Sequence, residues 1–219
     1  MNAFNLIRGQ FYTQISLMNK YLTELIGTMF LVMGAIFGGA PGASLTLMVM
    51  VYAGGHISGA HYNPAVTLAI WMRGRVSTKH AVMYWIFQLI GAAIAALLAY
   101  YVFDKMGTGN CVVEEGANTK AIVAELIGTF ALAYVVLNVA TSKGTSGNSF
   151  YGLAIGGTVL AMAHVLGSYS GGAFNPAVAM GLAIQKSFCW DQIWFYLVGP
   201  LGGAALAAIV FSLINPDDK

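Results

Sequence analysis

The sequence predicts an all-α membrane protein, with six spanning helices and two shorter half-helices arranged as two inverted halves. Three features carry that expectation. Charge is too scarce to cover a water-facing surface, six long apolar stretches recur, and two apolar Asn-Pro-Ala segments are too short to cross a bilayer.

Of 219 residues, 58% are hydrophobic and only 8% are charged, whereas a soluble domain carries about a quarter charged residues. Most of the exterior must therefore face lipid. A net charge of +2 makes no case for nucleic acid. The first nineteen residues carry one basic residue, Arg8, and no apolar core ahead of a cleavage site, so no signal peptide is expected. Cys111 and Cys189 make neither a disulfide framework nor a metal-ligand cluster. Free thiols are expected, with a bridge between them as the alternative.

Apolar stretches fall at about 21–40, 44–60, 80–103, 120–141, 150–167 and 190–214. Each approaches the roughly 20 helical residues that cross about 30 Å of hydrocarbon. No separate soluble domain is expected, so residues 1–219 read as one membrane domain with halves at about 20–103 and 120–214. With the termini on the cytoplasmic side, Arg8, Lys20, Arg73, Arg75, Lys79, Lys143 and Lys219 lie inside, and only Lys105, Lys120 and Lys186 outside. That asymmetry follows the positive-inside rule.

Two further pieces begin at Asn63-Pro64-Ala65 and Asn175-Pro176-Ala177 and stay apolar for about ten residues, a rise of only about 15 Å. Asn is a favoured N-cap, and Pro suits the first helical position, where its missing N–H costs nothing. Each reads as a half-helix starting near mid-membrane. Gly/Ser-rich runs, 54–62 and 167–174, lead into them and are expected to be non-helical. Irregular backbone at that depth must be buried in protein or line a watery cavity.

The halves repeat. Glu24-Leu-Ile-Gly-Thr matches Glu125-Leu-Ile-Gly-Thr, and Ser58-Gly-Ala-His-Tyr-Asn-Pro-Ala-Val matches Ser170-Gly-Gly-Ala-Phe-Asn-Pro-Ala-Val. Three spans per half is an odd number, so the second copy is inverted, with its site at the repeat interface. Two half-helix N-termini meeting there each present unsatisfied N–H groups and about half a positive charge. Asn63 and Asn175 can cap their helices through the side-chain oxygen and leave amide hydrogens for a passing oxygen. Neutral hydrogen-bonding molecules would pass, while cations and hydronium meet a barrier.

In these paired motifs, and along nearly its whole length, the chain resembles the aquaporin (major intrinsic protein) family. The resemblance implies a right-handed bundle of six tilted helices plus two re-entrant half-helices. It also implies a homotetramer in membrane lipid, with one pore per subunit and no cofactor. Glu24 and Glu125 sit inside spans, where an ionisable group is costly; each is expected to accept hydrogen bonds from the irregular run before a half-helix. His61, with Gly59 and Ala60, is expected at the inner pore mouth. His56 and His164 read as packed, hydrogen-bonded rings, and His80 as a solvated loop residue. The small-residue runs 91–96 and 202–207 read as close-packing surfaces.

The family usually carries Arg directly after the second Asn-Pro-Ala. Here that residue is Val178, in which the chain is similar to some tonoplast-type aquaporins. Alignment on the two motifs puts Ala43, Ala163 and Gly172 at the other filter positions, and a one-residue shift would substitute His164 for Ala163. Four small apolar residues predict a constriction wide enough for glycerol, urea, ammonia, hydrogen peroxide or neutral metalloid acids as well as water. An ion-coupled secondary transporter with inverted repeats is the alternative. No nucleophile–base pair, phosphate loop or clustered metal ligands suggest an enzyme. The loop 104–119, with Glu114 and Glu115, is placed on the external face without an assigned contact.

Overall fold

The computed structural model describes residues 3–114 and 116–218, with side chains described from residue 17 onward, apart from residue 115. Glu115 and Lys219, and the side chain of Arg8, lie outside the described residues. Helices dominate: α1 (Ala3–Ser58), α2 (Pro64–Met72), α3 (Thr78–Tyr101), α4 (Asn118–Val136), α5 (Tyr151–Ser170), α6 (Pro176–Ile184) and α7 (Phe195–Ile214). A π-helical turn, Leu137–Thr141, extends α4.

Among the described residues, five helices are long and apolar enough to cross a membrane, and one of them, Leu17–Ser58, runs for 42 residues. At 1.5 Å per residue that is about 63 Å, twice the hydrocarbon thickness. The chain turns back inside it at Gly39, whose φ of 56° and ψ of −145° are not helical. The two arms then run antiparallel. A Cβ added to Gly34 would sit 2.5 Å from Thr46 Oγ1, and one on Gly54 would sit 2.7 Å from Thr23 Cγ2. The first two expected spans are thus two arms joined by a single non-helical glycine, rather than by a separate loop.

Small residues let helices approach to backbone contact. A Cβ on Gly91 of α3 would lie 2.3 Å from the Leu25 carbonyl oxygen, and one on Gly203 of α7 would lie 2.2 Å from that of Leu126. Glycine there removes the obstacle between helices that lipid alone would not drive together.

The half-helices α2 and α6 have nine residues each. The irregular runs before them are shorter than expected, because α1 and α5 stay helical to Ser58 and Ser170. Only residues 59–62 and 171–174 are non-helical. The stop is the left-handed backbone of Gly59 (φ 90°) and Gly171 (φ 84°), a conformation glycine adopts without Cβ penalty.

Five side chains depart from expectation. Cys111 and Cys189 are joined in a disulfide, because the loop 104–117 folds back onto the segment after α6. His80 lies in the first turn of α3 and bonds Tyr21 Oη through Nδ1 at 2.8 Å, so it is tied to a helix rather than solvated in a loop. His56 and His164 are exposed, not packed, because each sits on an outward or cavity-facing stripe of its helix.

Arg73, which caps α2, gathers the end of the molecule opposite the disulfide. It donates to Thr141 Oγ1 at 2.8 Å and to Asp218 Oδ1 at 2.9 Å, and lies over the Phe211 ring. The Lys143 N–H donates to Asp218 Oδ2 at 2.9 Å.

Candidate functional site

The non-helical runs are held in unusual backbone conformations by buried carboxylates. Ala60, Tyr62 and Phe174 all have positive φ (51°, 48° and 47°), which costs a non-glycine residue about 1–2 kcal/mol each. Glu24 accepts from the N–H groups of His61 (3.0 Å) and Tyr62 (2.8 Å) and from Ser58 Oγ (2.7 Å). Glu125 accepts from the N–H groups of Ala173 (2.9 Å) and Phe174 (2.7 Å) and from Ser170 Oγ (2.7 Å). Both carboxylates are fully buried. Tyr84 and Tyr196 each donate at 2.6 Å to the carbonyl that ends the preceding helix, Ser58 and Ser170 respectively.

So held, the two runs bring the half-helix tips together. Asn63 Oδ1 accepts from the Ala65 N–H at 2.8 Å, and Asn175 Oδ1 accepts from those of Ala177 (2.9 Å) and Val178 (3.4 Å). The amides cross over: Asn63 Nδ2 donates to the Phe174 carbonyl and Asn175 Nδ2 to the Tyr62 carbonyl, both at 2.9 Å. Each asparagine therefore keeps one amide hydrogen for the cavity, where sequence reasoning left both. The reciprocal bond needs the opposite half, and no local pattern announces it.

Both asparagines line a cavity of about 110 Å³ whose wall also includes Ala43, Ala163, Gly172 and Val178 at one end and Ala60 and His61 at the other. His164, on the exposed face of α5, is not part of that wall. Gly59, Ala60 and His56 line a wider space of about 810 Å³ that also reaches Arg75 and Lys143. His61 and Gly59 also border a third space of about 260 Å³ with Lys20 and Tyr84. The three spaces are neighbours, with Ala60, His61 and Gly59 as shared wall residues.

Sequence reasoning missed what surrounds His61. Its Nδ1 lies 3.1 Å from Thr67 Oγ1, which accepts from Gln88 Nε2 at 3.0 Å and donates to the Asn63 carbonyl at 3.0 Å. One hydroxyl has one proton. With that proton on the Asn63 carbonyl, His61 must donate from Nδ1, which leaves Nε2 as an acceptor. Gln88 also donates to Glu24 Oε2 at 2.8 Å, a fourth bond to that carboxylate. The glutamine four residues after Tyr84, on the helical stripe that reaches Glu24, was the available signal.

Residues 34–211 match the family model described as Major intrinsic protein. Aquaporin NIP1-2 of Arabidopsis thaliana is 35% identical, over 94% of this chain and 77% of its own length. Aquaporin TIP1-2 of Zea mays is 38% identical, over 78% of this chain and 68% of its own. Among solved structures, the aquaglyceroporin from Plasmodium falciparum shares the fold with a TM-score of 0.67 at 17% identity, over 91% of this chain and 98% of its own. Crossed half-helix tips, a cavity lined by both and relatives over most of the length agree: the chain belongs to the major intrinsic protein (aquaporin) family of passive membrane channels.

Proposed function

We propose that this chain conducts water together with small uncharged solutes, in the size range of glycerol, urea, ammonia, hydrogen peroxide and neutral metalloid acids. The observation that carries this reading is the cavity running from Ala43, Ala163, Gly172 and Val178 to the crossed asparagines. Val178 stands where the family usually has Arg and is itself buried. A guanidinium there would occupy space and hold water tightly, so its absence lowers the cost for a larger neutral solute. The half-helix N-termini still place positive partial charge at the crossing, which holds out protons and cations.

Channel is favoured over ion-coupled transporter because both membrane carboxylates are engaged. Glu24 and Glu125 spend their oxygens on backbone and serine donors, leaving no free acidic side chain within the described membrane spans for a coupling ion. The same engagement speaks against acid–base catalysis. We read residues 1–219 as one membrane domain of two inverted halves, supported by the reciprocal Asn63 and Asn175 bonds. Assembly as a homotetramer in lipid, with both termini cytoplasmic, rests on the family likeness and on the clustering of basic residues.

Proteoliposome swelling tests the reading. Glycerol and urea gradients should drive rapid re-swelling after the water phase, linear in solute concentration. Val178→Arg should suppress the solute phase and spare the water phase. Water flux without solute flux in the unmodified protein overturns the wide constriction; saturation tied to an ion gradient overturns the channel.

A further inference from the structure

The constriction end of the path has a support with no counterpart at the other end. Gly171 and Gly172 are consecutive residues with left-handed backbone (φ 84° and 67°), and both line the 110 Å³ cavity. Two glycines in series have wide conformational freedom, so a fixed width there needs something outside the run to hold it. Two side chains do so. A Cβ placed on Gly171 would lie 2.8 Å from Phe188 Cζ and 3.2 Å from Val112 Cγ1, so both residues press on the glycine itself.

Val112 follows Cys111 in the chain and Phe188 precedes Cys189, and these two cysteines are bonded to each other. The disulfide therefore joins the two residues that pack on Gly171. Phe188 is further fixed by stacking on Tyr196 at 4.6 Å. The loop has no other covalent tie to the segment after α6, only hydrogen bonds such as Gly109 N–H to the Lys186 carbonyl at 2.9 Å and Gln192 Nε2 to the Val113 carbonyl at 2.7 Å. The equivalent glycine of the first half, Gly59, meets only His61 of its own run.

We infer that the Cys111–Cys189 bridge, through Val112 and Phe188, is a positioning clamp that sets the width of the constriction, and that opening the bridge relaxes size selection. Cys111 is exposed and Cys189 half-buried, so a dithiol in solution has access. Its two electrons enter the S–S bond, which breaks. Each cysteine sulfur ends as a thiol, and the dithiol closes to a cyclic disulfide. The loop's hydrogen bonds remain, so the effect is graded rather than all-or-none.

The inference uses the proposed solute flux as its readout. Purified protein in proteoliposomes is assayed for water, glycerol and a four-carbon polyol, before and after dithiothreitol, with thiol labelling to confirm that the bridge has opened. The polyol-to-glycerol flux ratio should rise at least about twofold on reduction, the scale of a remote support acting on a site, and return on reoxidation. Val112→Gly should raise it without reduction, and Val112→Ile should keep it low. The double variant Cys111→Ser/Cys189→Ser should match the reduced protein and ignore dithiothreitol. An unchanged ratio with the bridge labelled open, or in the assembled double variant, overturns the clamp. If the oxidised protein passes no polyol of either size, the wide-constriction reading fails instead. The clamp is then judged on water permeability, which must change at least about twofold on reduction.

Discussion

Glu24 and Glu125 receive the same three bonds, from a serine hydroxyl at 2.7 Å and from two successive backbone N–H groups. Around that shared frame the halves diverge. Gln88 adds a fourth bond to Glu24, whereas the equivalent place on α7 is Pro200, which has no donor to offer. His61 and Thr67 face Ala173 and Ala179 as their counterparts. Even the caps differ: Arg73 ends α2 on the Asp218 carboxylate, and Gln185 ends α6 on the Lys105 carbonyl at 2.8 Å. The duplicated parts are those the fold needs, and the parts that differ set the chemistry of the path. One end offers an imidazole, and the other is apolar and backed by a disulfide.

The largest effects should fall on the shared frame, and in both halves. Glu24→Ala and Glu125→Ala each orphan two buried backbone N–H groups and a serine, at about 3 kcal/mol or more in total. Thermal unfolding in detergent should drop sharply for both, and a variant tolerated in only one half would break the equivalence. Next come Gly27→Ala and Gly128→Ala, where a Cβ would sit 2.1 Å from Tyr62 Cε1 and Phe174 Cε1 respectively. Overpacking of that kind costs about 1–3 kcal/mol, and the two melting shifts should agree.

Smaller effects should separate the halves. Gln88→Leu removes a bond to a charged group, at about 1.5 kcal/mol, and leaves the second half untouched. Hydrogen exchange at the His61 and Tyr62 amides should quicken while that at Ala173 and Phe174 holds. The smallest effect belongs to Asp218. The Ser142 hydroxyl, then the Lys143 N–H and Arg73, hold its carboxyl down from 3.8 to about 2. Its folded value lies below its unfolded one, so its contribution is complete above pH 3.8 and disappears as pH falls towards about 2. Asp218→Asn should remove that acid-dependent part of the melting curve, whereas Gln185, uncharged, contributes none.

The same division explains what could be read in advance. Asn-Pro-Ala names a helix start by local chemistry, and repeated glutamates inside apolar runs demand partners, so the half-helices and carboxylates were visible. Gly39 as a one-residue turn was not, since neighbouring glycines and Pro41 offered equal breaks. The disulfide, the crossed asparagine amides and the Arg73–Asp218 pair depend on residues 78, 111–113 and 145 positions apart. No periodicity within one helix encodes such meetings. The exposure of His56 and His164 depends on which stripe of a helix faces its neighbours, and an all-apolar helix does not mark that stripe.

The most direct test of the crossing at Asn63 and Asn175 is a simultaneous recording from vesicles containing the purified protein and a trapped pH dye. Under an osmotic step and an imposed voltage, light scattering should report rapid shrinkage while the dye stays constant, because neutral molecules pass the positive centre and protons do not. A dye signal that follows the voltage as fast as the water moves would contradict that.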